Sequence, residues 1–423
     1  MSKPLFRLLS IALLTCILIP STTFAAAVQE TKTASSNPYH IVALGDSVTV
    51  GYEPGLDETA TPYGYTERVY EQALFHSHSV INNFGILGLT TSGLSNLLQG
   101  AAAGKTLKAV DLQDFSTFVD PRIAQYAQTI AAKSGNIKST LSEADLVIMT
   151  TGGNDFGDFI KAVVADSTNL DQLIQTSFIP MRDQYLNDLK KVINQVHEMA
   201  PKARIAIADQ YLPLIDLHPA YGALKSEVIT LSKKLDELAA ELNQVQTFVE
   251  IVHVSEGFFG KERQYTYVGK QDPHPTQKGY EYIGQQFANV IWKEYRTPAP
   301  RAADVTLSVI INGKELVGKP INKKNTNFLP IREVANAVKA ELKWDNKTKT
   351  ATFRKNNREV MITIGANTMT INGVIQKLDT PAYLETINKQ QYTYVPLAAI
   401  VKGLDFDLVY QQTLKTAFIN GPL

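Results

Sequence analysis

The amino-acid sequence predicts an α/β fold with a mainly parallel sheet, followed by a smaller α+β domain. Two observations indicate the first part: short apolar runs typical of buried strands recur along the chain, and stretches with helical periodicity separate them. A third observation indicates the second part, because the last 120 residues or so change to short β-type runs with Asn-Gly turns.

Five apolar runs are predicted as strands: Ile41–Leu44, Val80–Phe84, Leu146–Thr150, Ile205–Ala208 and Phe248–Val254. Apolar residues recur every three or four positions from Tyr185 to Val196 and from Val228 to Leu242, which predicts helices there. Residues 100–140 and 156–180 are longer than tight α/β connections need. They are either substrate-facing or lid insertions, or surface decoration.

The charge balance excludes some classes of partner. The chain has 423 residues, with 41 basic and 41 acidic side chains and a formal net charge of zero. There is therefore no electrostatic case for binding nucleic acid or an anionic membrane surface. After the first 27 residues, no apolar run is long enough to span a membrane.

Residues 1–27 read as a secretory signal peptide. Lys3 and Arg7 precede an apolar run, Leu8–Ile19, and small residues follow it. We therefore expect a secreted, extracellular protein, either free or associated with the cell surface, with a polar leader at 28–38. The one cysteine, Cys16, lies in the signal peptide, so the mature chain has neither disulfides nor a thiol nucleophile.

The remaining chain divides at a proline-containing linker, residues 296–303. Residues 39–295 are predicted as a first, larger domain and 304–423 as a repeat domain of two units. Pro330 and Pro396 stand 66 residues apart in similar apolar segments, and Lys349 and Lys415 share that offset in Lys-Thr-Ala segments. Each unit is predicted to run hairpin, short helix, hairpin.

Four separated polar segments follow predicted strands or precede a helix. They are Gly45-Asp46-Ser47, Asn83-Phe84-Gly85-Ile86-Leu87-Gly88, Thr151-Gly152-Gly153-Asn154-Asp155 and Asp272-Pro273-His274-Pro275. Because the carboxyl ends of parallel strands share one edge of a sheet, we expect these segments to meet there.

Their residue types predict acyl transfer at that edge. Ser47 would attack an ester carbonyl, His274 would take its proton and return it to the leaving alcohol, and Asp272 would hold the imidazole. Backbone N–H groups of Ser47 and Gly85 and the side-chain amide of Asn154 would stabilise the oxyanion.

The ordered segments resemble the SGNH (GDSL-type) hydrolase family over roughly residues 38–295. The resemblance implies a flavodoxin-like three-layer α/β/α fold and ester hydrolysis with no metal and no cofactor. The residues it carries over are Ser47 as nucleophile, Gly85 and Asn154 in the oxyanion hole, and His274 as base.

One position departs from the family pattern. The aspartate often stands three residues before the histidine, where this chain has Gln271, whereas Asp272 stands two before. Either Asp272 or a backbone carbonyl orients His274.

Residues 304–423 resemble the copper amine oxidase N-terminal-like (stalk) domain through Ile-Asn-Gly, Leu-Pro-Ile-Arg and Lys-Trp-Asp segments. No histidine follows His274 and no cysteine follows Cys16, so copper(II) would find neither of its usual ligands here. We expect either a spacer or dimerisation module, or attachment to cell wall, surface polymer or substrate.

The sequence thus predicts a secreted serine esterase or lipase acting on carboxylic esters, such as a lipid or an acylated small molecule, through an acyl-enzyme. Two alternatives stay open. One is a carbohydrate acetyl esterase acting on wall or plant polysaccharide. The other is a non-catalytic surface-binding protein on the same scaffold.

Overall fold

The computed structural model of the chain describes residues 37–56, 61–118, 120–245, 248–318, 320–387 and 389–421. The predicted signal peptide, and residues 28–36 of the predicted leader, lie outside the described residues.

Five parallel strands form the first sheet: β1 (Tyr39–Gly45), β2 (Ser79–Gly85), β3 (Leu146–Thr150), β4 (Arg204–Ala208) and β5 (Val249–Val252). Their order is β2-β1-β3-β4-β5, and every neighbouring pair is parallel. The strand order changes direction between β1 and β3, where open α/β sheets form a crevice for ligands. The predicted parallel sheet is confirmed.

Helices connect and flank these strands. They are α1 (Ser47–Val50), α2 (Tyr65–His76), α3 (Thr91–Ala102), α4 (Pro121–Ala131), α5 (Ser134–Ser142), α6 (Gly157–Ala165), α7 (Leu170–Leu173), α8 (Ile179–Met199), α9 (Tyr221–Asn243), α10 (Ser255–Phe258), α11 (Glu262–Tyr265) and α12 (Gln277–Trp292). A π-helical turn, Ile174–Phe178, leads into α8. None of the helices in the described ranges is long and apolar enough to cross a bilayer.

Both faces of the sheet are covered, as the alternation along β1 requires. Ile41 and Ala43 belong to a buried cluster that includes residues of α2 and α12. Val42 and Leu44 point the other way, into a cluster with residues of α3, α8 and α9. The three-layer α/β/α arrangement is therefore confirmed.

One strand is shorter than predicted. The predicted run Phe248–Val254 forms a strand only over Val249–Val252, and Phe248 is exposed. Oδ1 of Asp209 accepts hydrogen bonds from the N–H groups of Val254 (2.8 Å) and Ser255 (2.9 Å). These contacts turn the backbone into α10 and end the strand, which an apolar pattern alone does not reveal.

The C-terminal domain is rich in strands, as predicted. They are β6 (Ser308–Ile311), β7 (Lys314–Glu315), β8 (Ile321–Lys323), β9 (Thr326–Pro330), β10 (Glu341–Asp345), β11 (Thr350–Lys355), β12 (Arg358–Thr363), β13 (Thr368–Ile371), β14 (Val374–Lys377), β15 (Tyr383–Ile387), β16 (Gln390–Pro396), β17 (Asp407–Gln411) and β18 (Thr416–Asn420), with helices α13 (Ile331–Ala337) and α14 (Leu397–Gly403). Three sheets have the orders β10-β11-β12-β13-β14, β15-β16-β9-β8 and β17-β18-β6-β7.

Two stretches of this domain have the same element order. The hairpin β8–β9, helix α13 and hairpin β10–β11 correspond to β15–β16, α14 and β17–β18. Trp344 in β10 and Tyr410 in β17 stand 66 residues apart, and both side chains are exposed. The turns Asn312-Gly313 and Asn372-Gly373 have positive φ at both residues, the conformation that suits two-residue hairpins.

The C-terminal domain packs on the end of α2 through a small apolar cluster. Leu74 and Phe75 of α2 are buried together with Ile310 and Phe418. The rings of Phe75 and Phe418 meet edge to face, with centroids 5.0 Å apart. This cluster is separate from the cores of the two domains and joins them.

Polar contacts reinforce this junction, because the last carbonyls of a helix lack partners within it. Nδ2 of buried Asn420 donates to the carbonyl oxygens of Leu74 (2.9 Å) and Ser77 (3.1 Å). At the start of the predicted linker, the Arg296 guanidinium lies over the Phe75 ring and donates to the Gly313 carbonyl. Hydrogen bonds as well as apolar contacts therefore hold the two domains together at this junction.

Candidate active site

Ser47 begins helix α1 at the carboxyl end of β1. Asp46 caps this helix, since its Oδ1 accepts from Val48 N–H at 3.0 Å. Gly45 has a φ of +132°, and a Cβ there would lie 1.9 Å from the Thr150 carbonyl oxygen of β3. Only glycine fits this close approach, which leads the chain sharply from β1 into the helix.

Hydrogen bonds join Ser47, His274 and Asp272 in a chain. Ser47 Oγ lies 2.8 Å from His274 Nε2, and His274 Nδ1 lies 2.8 Å from Asp272 Oδ1. The same carboxylate oxygen accepts from the His274 backbone N–H at 2.9 Å. Of the two partners considered for His274, the structure shows Asp272 in contact with the ring.

This geometry sets the tautomer of the imidazole. With Nδ1–H donating to Asp272, Nε2 is left as an acceptor for the Ser47 hydroxyl. Burial would raise the pKa of Asp272, but its hydrogen bonds from His274 outweigh burial and hold that pKa below the usual value. Asp272 therefore stays ionised beside the imidazole at neutral pH.

Two tyrosines hold the histidine loop. The Tyr52 ring packs edge-on against the His274 ring, with centroids 4.6 Å apart. Tyr211 OH donates to the Pro273 carbonyl oxygen at 2.9 Å, and its ring stacks on Phe258. Neither tyrosine was singled out in the sequence, because each acts through a contact between segments distant in the chain.

Asn154 lines the same cavity as Ser47 and His274. One N–H of its side-chain amide donates to the Leu89 carbonyl oxygen at 2.9 Å, which fixes the amide and leaves its second N–H available. Asn154 thus lies on a loop after β3, facing the loop after β2.

Gly85 does not offer the N–H that the sequence analysis assigned to it. That N–H donates to Asn83 Oδ1 at 2.9 Å, and Gly85 pairs with Gly45 inside the sheet. A Cβ at Gly85 would lie 2.9 Å from Val50 N, so the glycine lets α1 pack on β2. The expected oxyanion role of Gly85 is therefore replaced by a packing role.

Gly88 lies three residues later, at the end of the same Gly-Ile-Leu-Gly segment. It has a φ of +74°, and a Cβ there would lie 2.4 Å from the Phe118 ring. Its N–H, like that of Ser47, donates to no acceptor within the described part of the chain. Gly88 adjoins Leu89, whose carbonyl oxygen binds Asn154. The Gly-Ile-Leu-Gly segment contains two glycines, so the sequence alone does not show which of their N–H groups is available.

Two carboxyl groups support these loops, Asp46 buried and Asp155 half-buried. Asp46 Oδ1 accepts from Thr150 Oγ1 at 2.9 Å, and burial raises the pKa of Asp46 to about 6 against these hydrogen bonds. Asp155 Oδ2 accepts from the N–H and hydroxyl of Thr91, both at 3.0 Å, and burial likewise raises its pKa to about 6. Asp155 thereby fixes the start of α3 beside Asn154.

An apolar cavity of about 140 Å³ opens beside Ser47. Its apolar walls include Phe156, Phe159, Phe178, Leu224, Val228 and Leu231. The first three lie in the long segment 156–180, so that part of the insertion faces the cavity. No three histidine, cysteine, aspartate or glutamate side chains gather as metal ligands in the described ranges.

Comparison with known families agrees with this geometry. Residues 43–282 match the profile of the GDSL-like lipase/acylhydrolase family, which is more than half of the chain. Residues 310–419 match the copper amine oxidase N-terminal domain. No curated protein matches the chain in sequence.

Several solved structures are similar to the first domain. The lipase Lip_vut3 from a goat rumen metagenome is 16% identical, covering 60% of this chain and 98% of its own, with a TM-score of 0.36. A lipolytic G-D-S-L protein from Veillonella parvula is 16% identical over 60% and 98%, with a TM-score of 0.35. A Clostridium thermocellum family 3 carbohydrate esterase is 16% identical over 60% and 94%, with a TM-score of 0.33. On the profile match, the chain belongs to the GDSL-like lipase/acylhydrolase family and is a hydrolase of ester bonds.

Proposed function

We propose that the protein is an exported serine esterase that cleaves carboxylic esters through an acyl-enzyme, with an apolar acyl chain in the cavity. The observation that carries this proposal is the hydrogen-bonded chain Ser47–His274–Asp272 at an apolar cavity of about 140 Å³.

In the first step, Ser47 Oγ attacks the ester carbonyl carbon while His274 Nε2 takes the hydroxyl proton. The negative charge that forms on the carbonyl oxygen is stabilised by Asn154 Nδ2 and by the N–H groups of Ser47 and Gly88. As the tetrahedral intermediate collapses, the C–O bond to the alcohol breaks. His274 returns the proton to the leaving oxygen.

In the second step, water attacks the acyl-enzyme with His274 as base, and the acid leaves as Ser47 regains its proton. Asp272 stays ionised throughout and stabilises the imidazolium that forms in each step.

The cavity favours acyl chains longer than acetyl. A dry apolar cavity of about 150 Å³ holds one benzene molecule, so this one has room for about six carbon atoms. An acetyl group would leave most of the apolar wall without contact. This supports an acyl esterase over an acetyl-specific carbohydrate esterase.

The test is hydrolysis of p-nitrophenyl esters from acetate to palmitate. We expect maximal kcat/KM at intermediate chain length, and Ser47→Ala should lower kcat by about 10⁴-fold or more. Ser226→Ala, which alters an exposed serine on α9, serves as control. Acetate-only turnover would favour the carbohydrate esterase, and a folded protein without turnover would favour the non-catalytic binder.

A matched pair of variants tests the cavity. Leu231 and Leu235 are both buried on α9, but only Leu231 lines the cavity. Leu231→Ala should shift the preferred ester to longer chains, because it deepens the cavity. Leu235→Ala should cost similar stability without changing the preference. Equal chain-length profiles for the two variants would show that the cavity does not bind the acyl chain.

Export and surface attachment are part of the proposal. The basic and apolar start of the sequence supports export, and N-terminal sequencing of the secreted protein would test cleavage near Ala25–Ala27. Exposed Trp344 and Tyr410, at equivalent positions of the two repeats, support a contact of residues 304–423 with a surface polymer. Co-sedimentation with insoluble peptidoglycan tests that contact.

A further inference from the structure

Ser47 and His274 are 227 residues apart in sequence, so their 2.8 Å contact depends on what holds two segments together. The first is residues 51–56, which follow α1. The second is residues 267–277, which carry Asp272 and His274 and lead into α12. We call these the serine-side loop and the histidine-side loop.

The serine-side loop is fixed to both catalytic partners through Tyr52. Its N–H donates to the Ser47 carbonyl oxygen at 3.0 Å, and its ring packs against the His274 ring. Its carbonyl oxygen accepts from Tyr280 OH of α12 at 2.6 Å. Movement of this loop would therefore change the surroundings of the imidazole directly.

The next residue, Glu53, spans the histidine-side loop. Its Oε1 accepts from Tyr267 OH at 2.8 Å, and its Oε2 accepts from Gln277 Nε2 at 2.5 Å. One carboxylate thus binds the first and the last residue of that loop. Hydrogen bonds to a charged acceptor are the stronger kind.

Both partners of Glu53 are themselves held in place, Tyr267 by the histidine-side loop and Gln277 by α2. The Tyr267 N–H donates to the His274 carbonyl oxygen at 2.9 Å, and the Tyr267 carbonyl accepts from Asp272 N–H at 3.3 Å. At the other end, Gln277 Oε1 accepts from the Arg68 guanidinium at 2.8 Å. A displacement of Tyr267 would therefore move the backbone of His274 and Asp272, while Gln277 holds the other end of the loop against α2.

We propose that Glu53 is a positioning residue for His274, acting through Tyr267 and Gln277 and never touching the substrate. The inference rests on the proposed function of Ser47 and His274. Without Glu53 the two loops separate slightly, and a misplacement of about 1 Å in such a site can lower a rate by about 100-fold.

The test uses the full-length enzyme and two rates. One is ester hydrolysis, separated into kcat and KM. The other is covalent labelling of Ser47 by a fluorophosphonate, which reports the reactivity of the serine independently of the ester. We expect Glu53→Ala to lower kcat and the labelling rate together by about 10- to 100-fold, with KM changed less than about twofold.

Conservative variants separate positioning from folding. Glu53→Gln keeps the volume and one acceptor, but its amide group meets the Gln277 amide, so we expect an intermediate rate. Tyr267→Phe removes only the hydrogen bond from the Tyr267 hydroxyl to Glu53 Oε1. If Glu53 and Tyr267 act on His274 through their shared hydrogen bond, the double variant Glu53→Ala/Tyr267→Phe should be no slower than Glu53→Ala. Glu198→Ala on α8, an exposed glutamate, is the control.

The outcomes are distinct. Parallel losses in kcat and labelling, with the melting temperature of Glu53→Gln near that of the wild type, support the inference. Wild-type rates in Glu53→Ala, or a rise in KM alone, would overturn it. A wild-type protein that the phosphonate fails to label would overturn the proposed function itself.

Discussion

At the carboxyl edge of the parallel sheet, polar side chains are buried around a cavity, whereas the C-terminal domain buries almost only apolar ones. Asp46, Ser47 and Thr150 are all buried at this edge. Among the described residues beyond 303, the buried polar side chains are Ser308, Thr416 and Asn420. Buried polar groups cost stability unless hydrogen bonds satisfy them, while apolar burial favours folding.

The two regions therefore differ in what their buried side chains do. The edge of the sheet holds the groups to which the proposed function assigns the chemistry, and polar groups kept for activity generally cost stability relative to apolar ones. The C-terminal domain supplies a second apolar core and a cover for the end of α2. Changes at the edge should therefore alter rates, and changes in the C-terminal domain should alter stability.

The largest expected effect is at Asp272. Asp272→Asn replaces an ionised acceptor with a neutral amide, so the imidazole loses its charge partner and its tautomer is no longer fixed. We expect kcat to fall by about 10³- to 10⁴-fold, with the melting temperature little changed. Ester hydrolysis assays would measure kcat, and thermal unfolding would measure the melting temperature. A loss below tenfold would mean that another group orients His274.

Removing the C-terminal domain should have the opposite result, a loss of stability with little change in kcat. Deletion of residues 304–423 exposes Leu74 and Phe75 and leaves carbonyls of α2 without the Asn420 amide. We expect the free energy of unfolding of the catalytic domain to fall by about 3–5 kcal/mol. The kcat of the folded fraction on small soluble esters should stay within about twofold, because no residue beyond 303 lines the cavity.

Phe418→Ala provides a milder version within the complete chain. It should lower the melting temperature and leave kcat unchanged, since it opens the junction without removing the domain. A large loss of kcat with an intact fold would show that the C-terminal domain helps to build the site. The division of tasks described above would then be wrong.

The smallest expected effect is a gain in stability at the edge. Burial raises the pKa of Asp46 from its usual 3.8 to about 6. The stability contributed by this group is thus fully present below pH 3.8 and is lost as pH rises through about 6. Asp46→Asn, which cannot ionise, should be more stable than wild type by about 2–3 kcal/mol at pH 8 and not at pH 3.5.

The same variant should be less active, because it removes the attraction between the Asp46 charge and the positive charge that His274 gains on taking the Ser47 proton. Denaturant unfolding at the two pH values, together with kcat at pH 8, measures both effects. A variant that gains stability equally at both pH values would show that the carboxylate charge is not the cause.

Parts of the fold and site were predictable because they depend on local pattern. Apolar runs predicted the five strands, Ser47 and Asn154 follow two of them, and His274 shortly precedes the last helix of the first domain. The strand order follows from none of these patterns. It came with the family resemblance, since pairing between strands is a contact between distant segments.

Other parts depend on side-chain contacts that no local pattern contains. Gly85 and Gly88 are two glycines of one short segment, and the sequence does not distinguish their roles. The hydrogen bond from the Gly85 N–H to Asn83 Oδ1 shows that this N–H already has an acceptor. The cavity likewise arises where α6, the π-helical turn and α9 meet. The apolar residues that line it have the same helical spacing as ordinary core residues.

The hydrogen bond from Asn420 to Leu74 joins residues that are 346 positions apart. During synthesis the chain emerges in order, so the end of α2 stays uncovered until Asn420 has been made. A prematurely terminated product would carry Ser47, Asn154 and His274 and still display an uncovered patch of Leu74 and Phe75. Proteases would then have a means of telling such a fragment from the complete enzyme.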